Sequence, residues 1–380
     1  MHNFEYCNPT RLVFGRGTIQ RIGPMIASDG IHKVLLVAGG GSIRENGVYQ
    51  AVVQSLTASG VAAMEEWGVQ PNPQLGRARL LVQRARDEQV EAVLAVGGGS
   101  VIDMAKCVAA GVTTQDLWDL FDGKALVEHA LPVFAVLTMS STGSEMDPVA
   151  FITNEAEHRK CRLESPLLYP RASIVDPLVQ TSLPWRQTIN GAVSALSHVM
   201  ATYLVGSFEE TALALNEALM RTIIRMVDRL QADHGDYGAR ANLAWATTLA
   251  MNGVSSVGIE DGDWSACRIE AAISAMHPEV AHGAGLAVIL PAWTAWMQEG
   301  NPGQFQRWAR AVWNAGTVDE GVAAMKTALQ HWGAPTALGD IGVTAGELRD
   351  VAFAALAEGP LGRLRTLTAR EVVELLKGVL

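Results

Sequence analysis

The sequence predicts an α/β domain with a largely parallel, Rossmann-like sheet, followed by an all-α domain. In the first half, short apolar and β-branched runs alternate with amphipathic stretches of helical period, which is typical of βαβ units. From about Leu183 onward, long segments rich in Ala, Leu and Met follow a helical period with hardly any strand-like alternation. The length of 380 residues fits two domains, and we place their boundary at the Leu183-Pro184-Trp185 turn, giving domains 1–182 and 183–380.

Four strands are predicted in order along the first half: Lys33–Gly39, Glu91–Gly99, Pro132–Met139 and Ala172–Pro177. Each is a nearly continuous apolar run, as expected for strands buried on both faces of a parallel sheet. In the second half, segments such as Glu210–Leu230 and Ala239–Val254 predict long helices. A cleft between the two domains is the expected ligand site.

Charge and cysteine usage exclude several classes of protein. The formal net charge is −10 and the 29 Lys and Arg residues form no basic run, so nucleic acid is not an expected partner. No signal peptide is recognisable and no stretch reaches the roughly 18 uninterrupted apolar residues of a membrane helix, so no membrane association is expected. The four cysteines lie far apart without a CxxC pair, which argues against a disulfide framework and favours a cytoplasmic location.

Three glycine-rich turns follow predicted strands and lead into helices. They are Gly39–Ser42, Gly97–Ser100 and Thr138–Glu145. Glycine lets the backbone approach a phosphate closely, and the N–H groups that open a helix favour an anion. A single turn of this kind is more often a plain connection, whereas three at the carboxyl ends of one parallel sheet line a crevice of the kind that holds nucleotides. The GxGxxG pattern is absent, which disfavours the usual Rossmann fingerprint.

Seven motifs spread over nearly the whole chain carry a resemblance to a known family. They are PTRLVFGRG (Pro9–Gly17), VQPNP (Val69–Pro73), GGGSVIDMAK (Gly97–Lys106), STGSE (Ser141–Glu145), the DP…LP stretch (Asp176–Pro184), NGAVSALSHVMATY (Asn190–Tyr203) and HGAGLAVILP (His282–Pro291). The chain resembles the iron-containing, or group III, alcohol dehydrogenases, and within them the NAD(P)H-dependent butanol dehydrogenases and broad-range aldehyde reductases. The resemblance implies a dehydroquinate synthase-like fold, a dinucleotide-binding first domain, a helical metal and substrate domain, and a homodimer. It also implies hydride transfer between NAD(P)H and a small aldehyde or primary alcohol in the interdomain cleft.

The resemblance also implies a set of cofactor-binding residues. These are Gly40, Gly41, Ser42 and Asn72 toward the adenosine, Gly98, Gly99, Ser100 and Asp103 toward the pyrophosphate and nicotinamide, and Thr138, Thr142, Asp147 and Lys160 at further contact positions. An acidic residue in the first turn would accept hydrogen bonds from a ribose 2′-hydroxyl and repel a 2′-phosphate. The turn here has no acid and Arg44 follows it, so we predict NADP(H) over NAD(H). The alternative is that Arg44 is only a solvated residue at a helix start.

The expected metal site differs from the family pattern, in which an Asp and a His four residues apart on one helix join two later histidines to bind Fe²⁺ or Zn²⁺. Here the first pair is Ser194 and His198, and alignment places Cys267 at the third ligand and His282 at the last. Ala271 replaces a further histidine. Cys267, His198 and His282, with Ser194 beside them, predict a three-ligand site with an open position, whose soft thiolate favours zinc although iron is an alternative.

A metal-free site is the competing interpretation, since serine and a small thiol are also typical of a site that no longer binds metal. Hydrogen-bond donors would then polarise the carbonyl, with His198, His277 and His282 as catalytic candidates and an imidazolium as proton donor. We predict Glu270 and Asp261 to be solvated helix charges and Trp264 to line the substrate pocket. Further alternatives are a lyase-like chemistry on the same fold and a non-catalytic nucleotide-binding homologue.

Overall fold

The computed structural model describes residues 1–380 and divides into two compact units. The first, here called the α/β unit, comprises residues 7–183 and 235–244. The second, the helical unit, comprises residues 1–6, 184–234 and 245–380. The predicted succession of an α/β half and a helical half is confirmed. Segments 1–6 and 235–244 each pack with the unit that lies elsewhere in the sequence.

The α/β unit contains eight strands: β1 (Arg11–Phe14), β2 (Lys33–Ala38), β3 (Ala62–Glu66), β4 (Ala92–Gly97), β5 (Val133–Leu137), β6 (Val149–Asn154), β7 (Arg159–Glu164) and β8 (Ala172–Val175). Six of them form one parallel sheet in the order β1-β8-β5-β4-β2-β3, in which Val34 lies opposite Ala63 and Ala92. Strands β6 and β7 form a separate antiparallel hairpin. The four predicted strands are the four central ones, whereas the edge strands and the hairpin were not predicted.

Helices cover both faces of the sheet. Those of the first half are α1 (Ile22–Ser28), α2 (Ser42–Glu45), α3 (Val48–Ala58), α4 (Leu75–Asp87), α5 (Gly99–Gly111) and α6 (Leu117–Phe121). Along β2, Val34 and Leu36 pack with α1 and α3, whereas Leu35 and Val37 pack with α4 and α5. The alternation follows from the two-residue period of a strand, and it buries apolar side chains on both faces of the sheet. The polar turns lie at the carboxyl ends of the strands.

The second half is helical throughout. Its helices are α7 (Trp185–Tyr203), α8 (Glu210–Ala232), α9 (Tyr237–Met251), α10 (Ser265–Met276), α11 (His282–Met297), α12 (Pro302–Trp313), α13 (Val318–Trp332), α14 (Leu348–Leu356) and α15 (Ala369–Lys377). Helix α11 packs against α7 and α10, and α7 also packs against α8. This arrangement makes α7, α10 and α11 neighbours. None of the helices is long and apolar enough to cross a membrane.

Candidate functional site

The first glycine-rich turn lies between β2 and α2. Gly41 caps α2 with a φ of 119°, a left-handed conformation that favours glycine. A Cβ atom added to Gly40 or Gly41 would meet no other atom within 4 Å, so both residues border open space. The Gly68 amide donates to the carbonyl of Gly39 at 3.0 Å, which holds the segment containing Asn72 beside this turn.

The second and third turns are in direct contact. Helix α5 begins at Gly99, and a Cβ on that residue would overlap the side chain of Thr142. The Thr138 amide also donates to the carbonyl of Gly97 at 3.0 Å. Ser100, next to Gly99, is half-buried in the first turn of α5. The structure therefore brings together the predicted residues of the two turns, and Gly99 is the residue that permits their approach.

Asp103 and Asp147, two predicted cofactor residues, belong to a buried polar network. The fully buried Lys106 ammonium contacts Asp147 Oδ1 at 2.7 Å and donates to Ser144 Oγ at 2.9 Å. Ser144 Oγ in turn donates to Asp103 Oδ1 at 2.7 Å. Burial raises the pKa of Asp103 to about 6. These side chains hold the third turn against α5, a function that we did not predict for Lys106; the three-residue spacing of Asp103 and Lys106 on one helix face was the available clue.

Asn72 and Lys160 come together from distant parts of the sequence. Lys160 Nζ donates to Asn72 Oδ1 at 2.7 Å. Asn72 is buried and has a φ of 54°, a backbone conformation that asparagine tolerates better than most residues. The pair joins the segment after β3 to the hairpin strand β7, so two predicted cofactor residues lie in one place.

Arg44 is not simply solvated at the start of its helix. Its guanidinium lies 3.8 Å from the ring centre of Trp67, and its Nη2 atom is 4.0 Å from Glu65 Oε2. Glu65 also accepts hydrogen bonds from Tyr49 Oη at 2.6 Å and Trp67 Nε1 at 2.9 Å. The bond to Glu65 raises the pKa of the Tyr49 phenol. Sequence analysis missed Glu65, which sits next to the carboxyl end of β3 rather than in the turn itself.

In the helical unit, three predicted metal ligands converge. His198 lies on α7, Cys267 on α10 and His282 at the start of α11, and their ligand atoms all lie within 4.8 Å of one another. The rings of His198 and His282 are 5.9 Å apart between centroids. These three residues, separated by up to 84 positions in the sequence, form what we call the HCH cluster.

Two glycines after His282 let α11 approach its neighbours. A Cβ on Gly283 would overlap the backbone of Asn190 on α7, and a Cβ on Gly285 would lie 2.7 Å from Glu270 Cγ on α10. Any larger residue would push α11 away from one of these helices. The HGAG sequence is therefore required by packing, and close packing is what brings His282 to the other two ligands.

The electrostatics of the HCH cluster favour ligation over proton donation by His198. Burial, together with the nearby His282, lowers the pKa of His198 to about 3. This shift favours the neutral imidazole, which is the form that binds a metal ion. An imidazolium proton donor, the metal-free alternative, stays a prediction. His198 Nδ1 and Ser194 Oγ are buried and lack a hydrogen-bond partner. Buried polar atoms without partners are rare, and two histidines with one thiol are a donor set that zinc accepts, so these residues fit a metal ion.

Glu270 is fully buried, which contradicts the prediction of a solvated helix charge. Its carboxylate is hydrogen-bonded to His282 Nδ1 and to Ser274 Oγ. The prediction failed because burial of a charged residue depends on the neighbouring helix, whose position the sequence does not specify. Asp261, by contrast, is exposed as predicted, but it lies in the segment before α10 rather than on a helix. It accepts a hydrogen bond from Trp264 Nε1 at 3.1 Å.

Of two further candidate residues, Trp264 lies beside the HCH cluster and His277 does not. The ring of Trp264 is half-buried, with its centroid 6.1 Å from that of His198, so it borders the cluster. His277 is not among the converging side chains. Its Nε2 atom lies 2.9 Å from Glu347 and its Nδ1 atom 3.5 Å from Glu279, so two carboxylates hold the ring at the end of α10.

Comparisons with known proteins agree with this architecture. Residues 9–177 match the family model for iron-containing alcohol dehydrogenase, and residues 188–380 match that for the C-terminal part of the Fe-containing alcohol dehydrogenase family. Probable NADH-dependent butanol dehydrogenase 1 of Bacillus subtilis is 36% identical over 390 residues, covering 100% of both chains. The NADPH-dependent aldehyde reductase YqhD of Escherichia coli is 31% identical over 354 residues and covers 90% of both chains. The crystal structure of NADH-dependent butanol dehydrogenase A from Thermotoga maritima has a TM-score of 0.97 and 45% identity, covering 100% of this chain and 99% of that one.

A parallel sheet with glycine-rich turns in one unit and a histidine–cysteine cluster in the other are features of a nucleotide-linked oxidoreductase. The chain belongs to the iron-containing alcohol dehydrogenase family. The resemblance seen in the seven motifs is thus confirmed.

Proposed function

We propose that this protein is a metal-dependent dehydrogenase that transfers hydride between NAD(P)H and a small aldehyde or primary alcohol. Family membership supports the reaction class, and the relatives include butanol dehydrogenases and an aldehyde reductase. The observation that carries the proposal is the convergence of His198, Cys267 and His282 from three helices. The second half contains no cluster of basic residues that would bind an anionic substrate, so we propose a neutral aldehyde as the substrate.

His198, Cys267 and His282 would hold the metal, with Ser194 beside them. A bound zinc or iron ion would supply Lewis acidity that polarises the substrate carbonyl. The low pKa of His198 keeps a nitrogen lone pair available without competition from a proton. Cys267 lies in the first turn of α10, where the positive end of the helix dipole favours its thiolate. Trp264, next to His198, would limit access of water and of bulky substrates.

The α/β unit would hold the nucleotide at its glycine-rich turns. Gly40 and Gly41 border open space, which leaves room for a ribose or phosphate against the backbone. We propose a preference for NADP(H), because the turn contains no acid and Arg44 is held at its rim by Trp67. Glu65 Oε2 lies 4.0 Å from Arg44 Nη2, and its negative charge would repel a 2′-phosphate. Substitutions of Arg44 and Glu65 therefore test the preference for NADP(H).

Elemental analysis combined with a cysteine substitution tests the proposed function. Wild-type protein loaded with Zn²⁺ should retain about one ion per chain after dialysis and should reduce small aldehydes with NADPH. Cys267→Ser should lose the ion and the activity together, whereas Cys7→Ser, at an exposed cysteine, should keep both. Aldehyde reduction by protein that holds no metal would instead establish the metal-independent alternative. NADPH binding without turnover of any aldehyde would indicate a non-catalytic homologue.

The proposal extends to the roles of the two domains, the cellular location and the oligomeric state. We propose that residues 1–182 carry the nucleotide function and residues 183–380 the metal and substrate functions. The four cysteines are all free thiols, which supports a reducing compartment, and we propose the cytoplasm. We also propose a homodimer, which sedimentation analysis of the purified protein would test.

A further inference from the structure

We infer that Glu270 is a positioning residue of the metal site: it orients His282 through the ring nitrogen that does not face the ion, and it adds a negative charge next to the HCH cluster. The inference deepens the proposed function and rests on it. Ser194 is a neutral hydroxyl, so among the four residues at this site only Cys267 brings an anionic ligand.

The position of Glu270 on α10 suits this function. It follows Cys267 by three residues, so both side chains lie on one face of the helix, which packs against α11. The side chain passes directly over Gly285, whose missing Cβ leaves room for it. Helix α11 thus begins with a ligand at His282 and a cavity for that ligand's partner one turn later.

The hydrogen bonds of Glu270 select one nitrogen of His282 for the metal. Because the carboxylate binds Nδ1, this nitrogen carries the proton and donates it, which leaves the lone pair on Nε2 for the ion. The other carboxylate oxygen is held by Ser274 Oγ, one turn further along α10. A carboxylate paired with a ligating histidine in this way fixes the orientation of the ring and increases its basicity.

The charge of Glu270 also fits a neighbouring metal ion. A fully buried carboxylate is strongly disfavoured unless a nearby positive charge compensates it. A divalent ion held by the HCH cluster would supply such a charge. Its two positive charges would balance the two negative charges of the Cys267 thiolate and the Glu270 carboxylate. Glu270, which contacts the ligand His282 rather than the ion itself, therefore provides the negative charge that Ser194 lacks.

Zinc affinity of the holoprotein and of variants tests the inference. Glu270→Gln keeps the shape of the side chain and an oxygen for His282 but removes the charge. Competition with a chromophoric zinc chelator should show an affinity about 10- to 100-fold below that of wild type. Glu209→Gln is the matched control, because Glu209 is also buried in the helical unit but caps the amides of Ser207 and Phe208; its zinc affinity should equal that of wild type.

Two additional measurements keep the inference testable if Glu270→Gln folds poorly. Gly285→Ala leaves the carboxylate in the chain but pushes it from His282, and it should reduce zinc affinity in the same direction. In Co²⁺-loaded Glu270→Gln, the thiolate-to-cobalt absorption band of Cys267 should persist, while the ligand-field bands that report the histidine donor shift. A merely structural residue would not shift these bands in folded protein.

The outcomes separate this inference from the proposed function. If wild type holds zinc and both Glu270→Gln and Gly285→Ala hold it with wild-type affinity and unchanged cobalt spectra, the role of Glu270 is wrong and the metal site stands. If wild type holds neither zinc nor cobalt, both the metal site and the role of Glu270 are overturned.

Discussion

The glycine-rich turns of the α/β unit and the HCH cluster of the helical unit are built in different ways. The turns consist of backbone, and their essential residues are glycines such as Gly41 and Gly99, where a side chain would be strained or would collide. The HCH cluster consists of side chains from three helices, supported by Glu270. Backbone sites leave contiguous motifs in a sequence, whereas side-chain sites depend on helix packing. At the first kind of site an added side chain can collide with a neighbouring turn, as at Gly99. At the second kind we expect an exchange of donors to change which metal is preferred.

The largest expected effect comes from adding atoms to a backbone site. Gly99→Val should weaken NADPH binding by about a thousandfold, or about 4 kcal/mol, because the new side chain displaces the third turn through Thr142. Fluorescence titration with NADPH measures the loss, and zinc content should remain at the wild-type level. Gly303→Ala, on α12 of the helical unit, is the control: its Cβ meets no other atom within 4 Å, so both the fold and the NADPH affinity should equal those of wild type. Equal NADPH affinity of Gly99→Val and wild type would refute the assignment of this turn.

Asp103→Asn tests whether the network behind the turns is structural. The pKa of Asp103 rises from 3.8 to about 6 on folding, so the folded protein keeps this proton over a range where the unfolded chain releases it. Stability from this group is therefore present below about pH 4 and is lost as pH rises to about 6, by at most about 3 kcal/mol. Urea unfolding at several pH values should show a flatter pH dependence for Asp103→Asn than for wild type. The same pH dependence in both proteins would contradict the account, and Asp261→Asn, at an exposed carboxylate, serves as the control.

Exchange of donors at the HCH cluster should change the metal rather than abolish binding. The double variant Ser194→Asp, Cys267→His replaces a hydroxyl and a soft thiolate by a hard carboxylate and an imidazole. Its preference for Fe²⁺ over Zn²⁺ should rise about tenfold, or about 1.4 kcal/mol. Anaerobic loading with an equal mixture of the two ions, followed by elemental analysis, measures the ratio. A ratio unchanged from wild type would mean that these positions do not contact the ion.

The smallest expected effect is on cofactor choice. Arg44→Gln should lower the ratio of kcat/KM for NADPH to that for NADH about fivefold, corresponding to about 1 kcal/mol, because Arg44 is half-exposed and its charge is screened. Glu65→Gln should raise the same ratio, since it removes the negative charge beside Arg44. Steady-state kinetics with both cofactors measures the two changes. Shifts in the same direction would show that this charge pair does not determine the preference.

The sequence predicted features that are encoded in contiguous patterns and missed those that depend on packing between distant segments. The four central strands were recognisable because burial on both faces makes them continuous apolar runs, such as Val133–Leu137. Strand β3, with the sequence AAMEE, and the hairpin strand β7, with RKCRLE, are polar and resemble loops, so they were missed. Parallel edge strands are identified by their neighbours, which are distant in sequence.

The candidate site was predictable where the resemblance supplied positions and unpredictable where partners come from another helix. Cys267, His198 and His282 were expected together, and the structure brings them together. The burial of Glu270 against His282 depends on the missing Cβ of Gly285, which lies fifteen residues after Glu270 and three after His282 in the sequence. It also depends on how closely α10 and α11 pack. Lys106 was recognised only as part of a motif, since its partners Ser144 and Asp147 lie on a different segment.

X-ray absorption at the zinc edge of loaded wild-type protein tests the central claim most directly, because it identifies the atoms bound to the ion. The account predicts one sulfur at about 2.3 Å together with imidazole nitrogens at about 2.0–2.1 Å, and loss of the sulfur in Cys267→Ser. A first shell made only of nitrogen and oxygen, unchanged in Cys267→Ser, would contradict it.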